Sequence, residues 1–180
     1  MADSNRVKIF RLVCTVVFVI YLALLAYFLF FSDIFGRTVT FDEYRYNLKP
    51  FAEIKRYLTK IRDKDFASYM INIAGNVILF MPFGFLFPFV SDVRKFKRGR
   101  TFLGTFVVTV LFCFLIEGIQ LVSKVGVFDV DDIIMNTFGS VMGYAIFRIV
   151  ILNHRMTKKK REAERDKEQV YKGRKAVQGS

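Results

Sequence analysis

Few side chains in this sequence could do chemistry, and most of those lie where a polar group is expensive. Glu117 and Gln120 stand three residues apart inside the apolar run LFCFLIEGIQLV, on one face of any helix that run forms. Asn72 and Asn76, four apart in MINIAGNVILF, share a face in the same way. Asp129, Asp131 and Asp132 bunch just before a further apolar run, and Asn136 follows Asp132 by about one helical turn. A carboxylate in such a setting can act as general acid or base, or accept hydrogen bonds from a ligand's ammonium, amide and hydroxyl groups. Glu117 is the candidate for either role. Two of the aspartates could share a hard cation through oxygen ligands. Capping and solvation account for them without an ion, so no metal and no cofactor is expected. The sequence offers no Ser–His or Cys–His pair and no phosphate-cradling glycine loop, and with His154 the only histidine a His-based zinc site is excluded. Cys14 and Cys113 lie inside apolar runs, as small packing residues rather than a disulfide framework.

The elements that must hold these groups are long and apolar. Residues 12–31, 70–90, 101–122 and 133–152 take 83 of the 180 residues, and each can cross a hydrocarbon core, which needs roughly 20 mostly apolar residues. The chain is 53% hydrophobic with 22 Phe and a mean hydropathy of +0.33, and outside these runs it has one 38-residue loop, two short loops and two basic ends. That excludes a separate soluble catalytic domain, a secreted protein and an ordinary cytosolic enzyme. The expected fold is an all-α membrane protein, a four-transmembrane-helix bundle with an amphipathic helix in its first outer loop. Residues 1–11 form a basic N-terminal segment, 12–152 the membrane domain and 153–180 a basic tail. The first run follows Arg6, Lys8 and Arg11 and lacks a small-x-small cleavage pattern, so it reads as a retained signal anchor. Pro82 and Pro88, with Gly84 between them, should kink or loosen the second span. Gly139 and Gly143 offer a small-xxx-small face for close helix approach.

Charge sets an orientation. Lys and Arg collect in cytoplasmic flanks, and the N-terminus, the 91–100 loop and the tail hold 18 of them, against 9 in residues 32–69 and 123–132. Both termini are therefore expected in the cytoplasm and the protein in the plasma membrane. In the first outer loop Phe51, Ile54, Leu58 and Ile61 recur at helical spacing with Lys55, Arg56, Lys60 and Arg62 between them. A helix lying on the membrane, or packed over the bundle, has this pattern. The tail's TKKKREAERDKE reads as solvated helix or disorder held near anionic lipid headgroups, and nucleic-acid binding, which would call for interleaved aromatics, is not expected.

With this orientation Asn72, Asn76, Glu117, Gln120 and Asn136 all fall within roughly 10 Å of the outer boundary at helical rise. The inner halves of the spans carry almost nothing comparable. Convergence at one depth describes an outward-facing polar pocket. Plainer roles exist for most of these groups: Asp131 or Asp132 as the cap of the fourth span, Asn72 and Asn76 as interhelical bridges. Glu117 is the hardest to explain so, because an ionisable group at that depth is costly unless paired, hydrated or protonated.

The stretches NIAGNVILFMPFGFLFP, EGIQ and FDVDDIIMNTFGSVMGY, in that order and with YNLKPFAEIKRY before them, resemble the VanZ-like family of small bacterial membrane proteins over about residues 25–150. The matching positions are Asn72, Asn76, Pro82, Gly84, Glu117, Gln120, Asp129, Asp132, Asn136, Gly139 and Gly143. The resemblance implies a link to teicoplanin resistance through an activity that the family leaves open. One position departs from it: family members often carry an Arg about where Gly126 stands. Lys124, the one nearby base, could replace it as a point charge but not as a bidentate fork.

Residues and resemblance together point to an accessory or binding membrane protein. Its pocket, built from Asn72, Asn76, Glu117, Gln120, Asp129, Asp132 and Asn136, would recognise a cell-envelope lipid, a cell-wall precursor or a lipid-tailed glycopeptide. The alternative is an intramembrane enzyme acting on such a lipid or precursor with Glu117 and the Asp cluster. A transporter ranks third, because four spans are few, no repeat is evident and the inner half lacks polar groups. Membrane lipids are the expected partners, and a homo-oligomer is left open.

Overall fold

The computed structural model describes residues 2–32, 42–59, 66–91 and 98–178. Its elements are α1 (Ala2–Phe31), β1 (Tyr46–Asn47), α2 (Ala52–Thr59), α3 (Phe66–Val90), α4 (Arg98–Ser123), β2 (Phe128–Asp129) and α5 (Val130–Gln178). Helices α1, α3, α4 and α5 are each long and apolar enough to cross a membrane. The chain is an all-α, multi-pass membrane protein. It divides into two compact units, Met1–Ala145 and Ile146–Ser180. The second is the continuation of α5, exposed along residues 153–167, with Lys158 and Glu162 paired at 3.8 Å one turn apart.

In the first unit the core joins Phe18, Leu25 and Leu29 of α1, Phe80 and Phe83 of α3, Cys113 and Ile116 of α4, and Ile133 of α5. Phe83 is its hub: the ring stacks on Phe112 at 5.2 Å and on Phe87 at 5.5 Å, and Phe18 leans on it at 5.5 Å. Leucines and valines elsewhere on α1 and α4, such as Val13, Val16, Leu103 and Leu111, face outward. Lipid tails are as apolar as leucine, so hydrophobicity alone does not hold such helices together; close packing and interhelical hydrogen bonds do. The packing is backbone against backbone. A Cβ on Gly139 would collide with the Val77 carbonyl, one on Gly143 with the Met81 carbonyl and one on Gly84 with the Ser140 carbonyl. The expected small-residue face of α5 therefore meets α3.

Hydrogen bonds supply the rest. The Arg11 guanidinium donates twice to the Val90 carbonyl, at 3.0 and 3.2 Å, putting a cation at the negative end of α3. The Tyr21 hydroxyl donates to the Leu79 carbonyl at 2.7 Å. Helix α3 runs unbroken through Pro82 and Pro88, where the sequence suggested a kinked or loosened half.

Two short strands had no signal in the hydropathy. β1 and β2 pair in parallel with Tyr46 opposite Phe128 and Asn47 opposite Asp129, and the Phe128 N–H also donates to the Arg45 carbonyl at 3.0 Å. They fasten the long loop to the α4–α5 connection. The helix expected in that loop is α2, entered through Phe51 in the left-handed region at φ 63°. The side chains of Ile54, Leu58, Lys60, Ile61 and Arg62, on which its amphipathic reading depends, lie outside the described residues. Helix α4 ends in a paired closure, Lys124 N–H to Leu121 carbonyl and Val125 N–H to Gln120 carbonyl, with Lys124 at φ 58°.

Candidate functional site

The site grows from the first turn of α5. Asp129 stands just before Val130, and its Oδ1 accepts the Asp131 N–H at 2.8 Å. That is an N-cap bond. The cap of the fourth span is thus Asp129 and not Asp131 or Asp132, because β2 delivers Asp129 in extended backbone at the helix start. Its own N–H donates to Glu117 Oε2 at 3.0 Å. Register then adds a third partner: Asn47, opposite Asp129 in the strand pair, donates through Nδ2 to both carboxylate oxygens at 3.2 and 3.4 Å. Asn47 Oδ1 accepts the Lys49 N–H at 3.2 Å, turning the chain toward α2.

The next two aspartates point elsewhere. Asp131 accepts the Phe51 N–H and so anchors the entry to α2. Asp132, a position further round the helix, accepts from Asn76 Nδ2 of α3 at 2.7 Å. Exposure is 2% for Glu117 and Asn76, 9% for Asp129 and zero for Asp131. Four acidic side chains therefore gather at the positive end of α5, where backbone N–H groups and the helix dipole favour negative charge. Their donors include the backbone N–H groups of Phe51, Asp129 and Asp131 and the amides of Asn47 and Asn76. Among the described residues no three Asp, Glu, Cys or His side chains are arranged to hold a metal ion.

Of the seven pocket residues expected from sequence, Glu117 and Asp129 are joined by one hydrogen bond and Asn76 and Asp132 by another. Asn72 is half-buried one turn earlier on α3. Gln120 turns to α1 instead: its Nε2 donates to the Leu29 carbonyl at 2.9 Å, one of the acceptors a helix end leaves open. Asn136 is 1% exposed, and its Oδ1 meets no donor among the described residues; the same holds for Gln120 Oε1. The Lys124 ammonium donates to the Asp42 carbonyl at 2.7 Å and lies 5.2 Å from the Tyr44 ring centre.

Two contributors were missing from the expected pocket, Asn47 and Asp131. The stretch YNLKPF was the signal for the first, since an Asn two residues before Lys-Pro is turn chemistry. Buried hydroxyls were missed as well. Thr101, Thr105, Thr109 and Ser140 are all buried at depths where the sequence suggested nothing polar of consequence.

What this arrangement can do follows from its parts. Its carboxylates are fixed by neighbouring N–H groups and can act as hydrogen-bond acceptors. Residues 18–152 match the family model for VanZ/LLP1. No curated protein and no solved structure matches the chain.

Proposed function

Since the chain belongs to the VanZ/LLP1 family, we propose that it is an accessory binding protein of the cell envelope. Its carboxylate cluster recognises the donor-bearing head of an envelope lipid, a cell-wall precursor or a lipid-tailed glycopeptide, and so changes sensitivity to teicoplanin-type antibiotics. The reading takes both termini as cytoplasmic and the cluster as facing outward in the plasma membrane. One observation supports it above the others: two hydrogen-bonded pairs, Glu117 with Asp129 and Asn76 with Asp132, bring polar groups of α3, α4, β2 and α5 to the start of α5. Ionisable groups inside spans are costly and mark functional positions by default. Binding is preferred to catalysis because backbone and amide N–H groups donate to the carboxylates, and no nucleophile–base pair accompanies them among the described residues.

Glu117→Gln tests it. The amide is isosteric and can still accept the Asp129 N–H, and it removes a costly charge, so a structural Glu117 would tolerate the change. The expected outcome is loss of the teicoplanin phenotype at unchanged membrane abundance, with Asn76→Ala behaving alike. Full resistance in Glu117→Gln at normal abundance would overturn the reading.

A further inference from the structure

The segment from Tyr44 into α2 is held to the bundle by its backbone, while its large apolar side chains face away. β1 pairs with β2, the Lys49 N–H meets Asn47 Oδ1, and the Phe51 N–H meets the Asp131 carboxylate. The Ala52 and Lys55 N–H groups donate to the Lys49 and Phe51 carbonyls. In extended backbone, alternate residues share a face. Asn47 turns to Asp129, so Tyr46 and, along the same run, Tyr44 and Leu48 take the other side. Parallel strand pairs are ordinarily covered on both faces. Here Tyr44, Tyr46, Leu48 and, just beyond them, Phe51 are 59–67% exposed.

Phe51 adds an independent observation. Its φ of 63° is in the left-handed region, where a bulky side chain is strained and glycine is at ease. The ring gains little packing in return, since it is exposed. An outlier kept in this way points to a use for the side chain outside the protein.

Position says what meets the patch. The spanning helix α4 ends at Ser123 and α5 begins at Val130, and β2, the partner of β1, lies between them. The patch is therefore held at the level where two spans leave the hydrocarbon, which is where tyrosine rings collect in membrane proteins. Lys49 and Lys55, both exposed in the same segment, can reach lipid phosphates on their apolar stems. Backbone that enters the edge of a bilayer must bring its hydrogen bonds with it, and this backbone does. An apolar patch on a surface surrounded by water would mark a docking site for another protein. At the ends of spans, the lipid surface is the partner already within reach.

We propose that the segment from Tyr44 to Lys55 is an interfacial anchor, with Tyr44, Tyr46, Leu48 and Phe51 seated among the lipid headgroups of the leaflet at the Glu117 end. The same bonds carry that seating to the carboxylates, because Asn47 donates to Asp129 and the Phe51 N–H to Asp131. The anchor ties the depth of the cluster to the headgroup layer. It stands whichever ligand the cluster takes, and in either orientation of the bundle.

The chain has no tryptophan, so a single introduced one reports on its own surroundings. Tyr46→Trp and Phe51→Trp are each reconstituted as the full chain in phosphatidylcholine–phosphatidylglycerol vesicles. Leu111→Trp, on the exposed face of α4, is the hydrocarbon reference, and Glu164→Trp, in the exposed tail, is the water reference. Acrylamide present on both sides should quench the two loop variants at least threefold less than Glu164→Trp. Phosphatidylcholine brominated near the carbonyl end of its acyl chains should quench them at least twofold more than lipid brominated near the chain ends, the reverse of Leu111→Trp. Size-exclusion profiles identify a variant that fails to fold, and the other then decides. Acrylamide quenching equal to that of Glu164→Trp would overturn the proposal. So would protection from acrylamide without quenching by either brominated lipid, since protein, a second copy included, would then cover the patch.

Discussion

Asp129 ties the long loop, α4 and the start of α5 together. It caps α5 through the Asp131 N–H, receives Asn47 from the loop and gives its own N–H to Glu117. Asp129→Ala removes a cap worth about 0.5–2 kcal/mol and leaves the Asn47 amide without its acceptor. Thermal unfolding in detergent should show a clear fall in Tm, with Asp129→Asn falling less because its amide oxygen can still cap. The Asp131 carboxylate holds the Phe51 N–H at the entry to α2, so Asp131→Ala should speed limited proteolysis within residues 42–59. Cleavage there no faster than in the unaltered protein would contradict this assignment. Sequence spacing picked out the three aspartates as one bunch. It could not assign them, because consecutive residues at a strand-to-helix junction point in different directions and only the partners reveal which is the cap.

At the scale of elements, glycines decide how close α3 and α5 come. Gly139→Leu must push against the Val77 backbone, and overpacking of that kind costs about 1–3 kcal/mol. Gly118 on α4 has open space where its Cβ would be, so Gly118→Ala should be neutral or gain up to about 1 kcal/mol of helix propensity. Tm values for the pair in one detergent check both expectations; a Gly118→Ala that destabilises as much as Gly139→Leu would show that helix approach is not the cause. The helices themselves were legible because a span of apolar residues has one way to satisfy its backbone in lipid. The strand pair was not. Two residues carry no readable alternation, and their pairing joins positions about 80 apart in sequence. The threonines of α4 escaped notice for a different reason: a hydroxyl that bonds to its own helix is tolerated in any span, so residue type says little about whether it faces lipid or a neighbour.

For the whole molecule, orientation in the membrane bears on the proposed function. With Cys14 and Cys113 replaced, a cysteine introduced within residues 123–128 should react with a membrane-impermeant maleimide in intact cells, and one within 91–100 should not. The reverse pattern would turn the carboxylate cluster to the cytoplasm and remove the envelope ligand. What the sequence determined by itself was the set of membrane helices, the family and the short list of polar residues at one depth, since hydropathy and residue type need no knowledge of neighbours. Only the tertiary structure decided which of those residues belong together. Glu117 meets Asp129, Asn76 meets Asp132, Gln120 turns away to α1, and Thr109 meets Ser140. Such partnerships depend on the rotation and register of each helix against the next. Those are set by backbone contacts at Gly84, Gly139 and Gly143 and by the strand pair, through distances that no local pattern along the chain records.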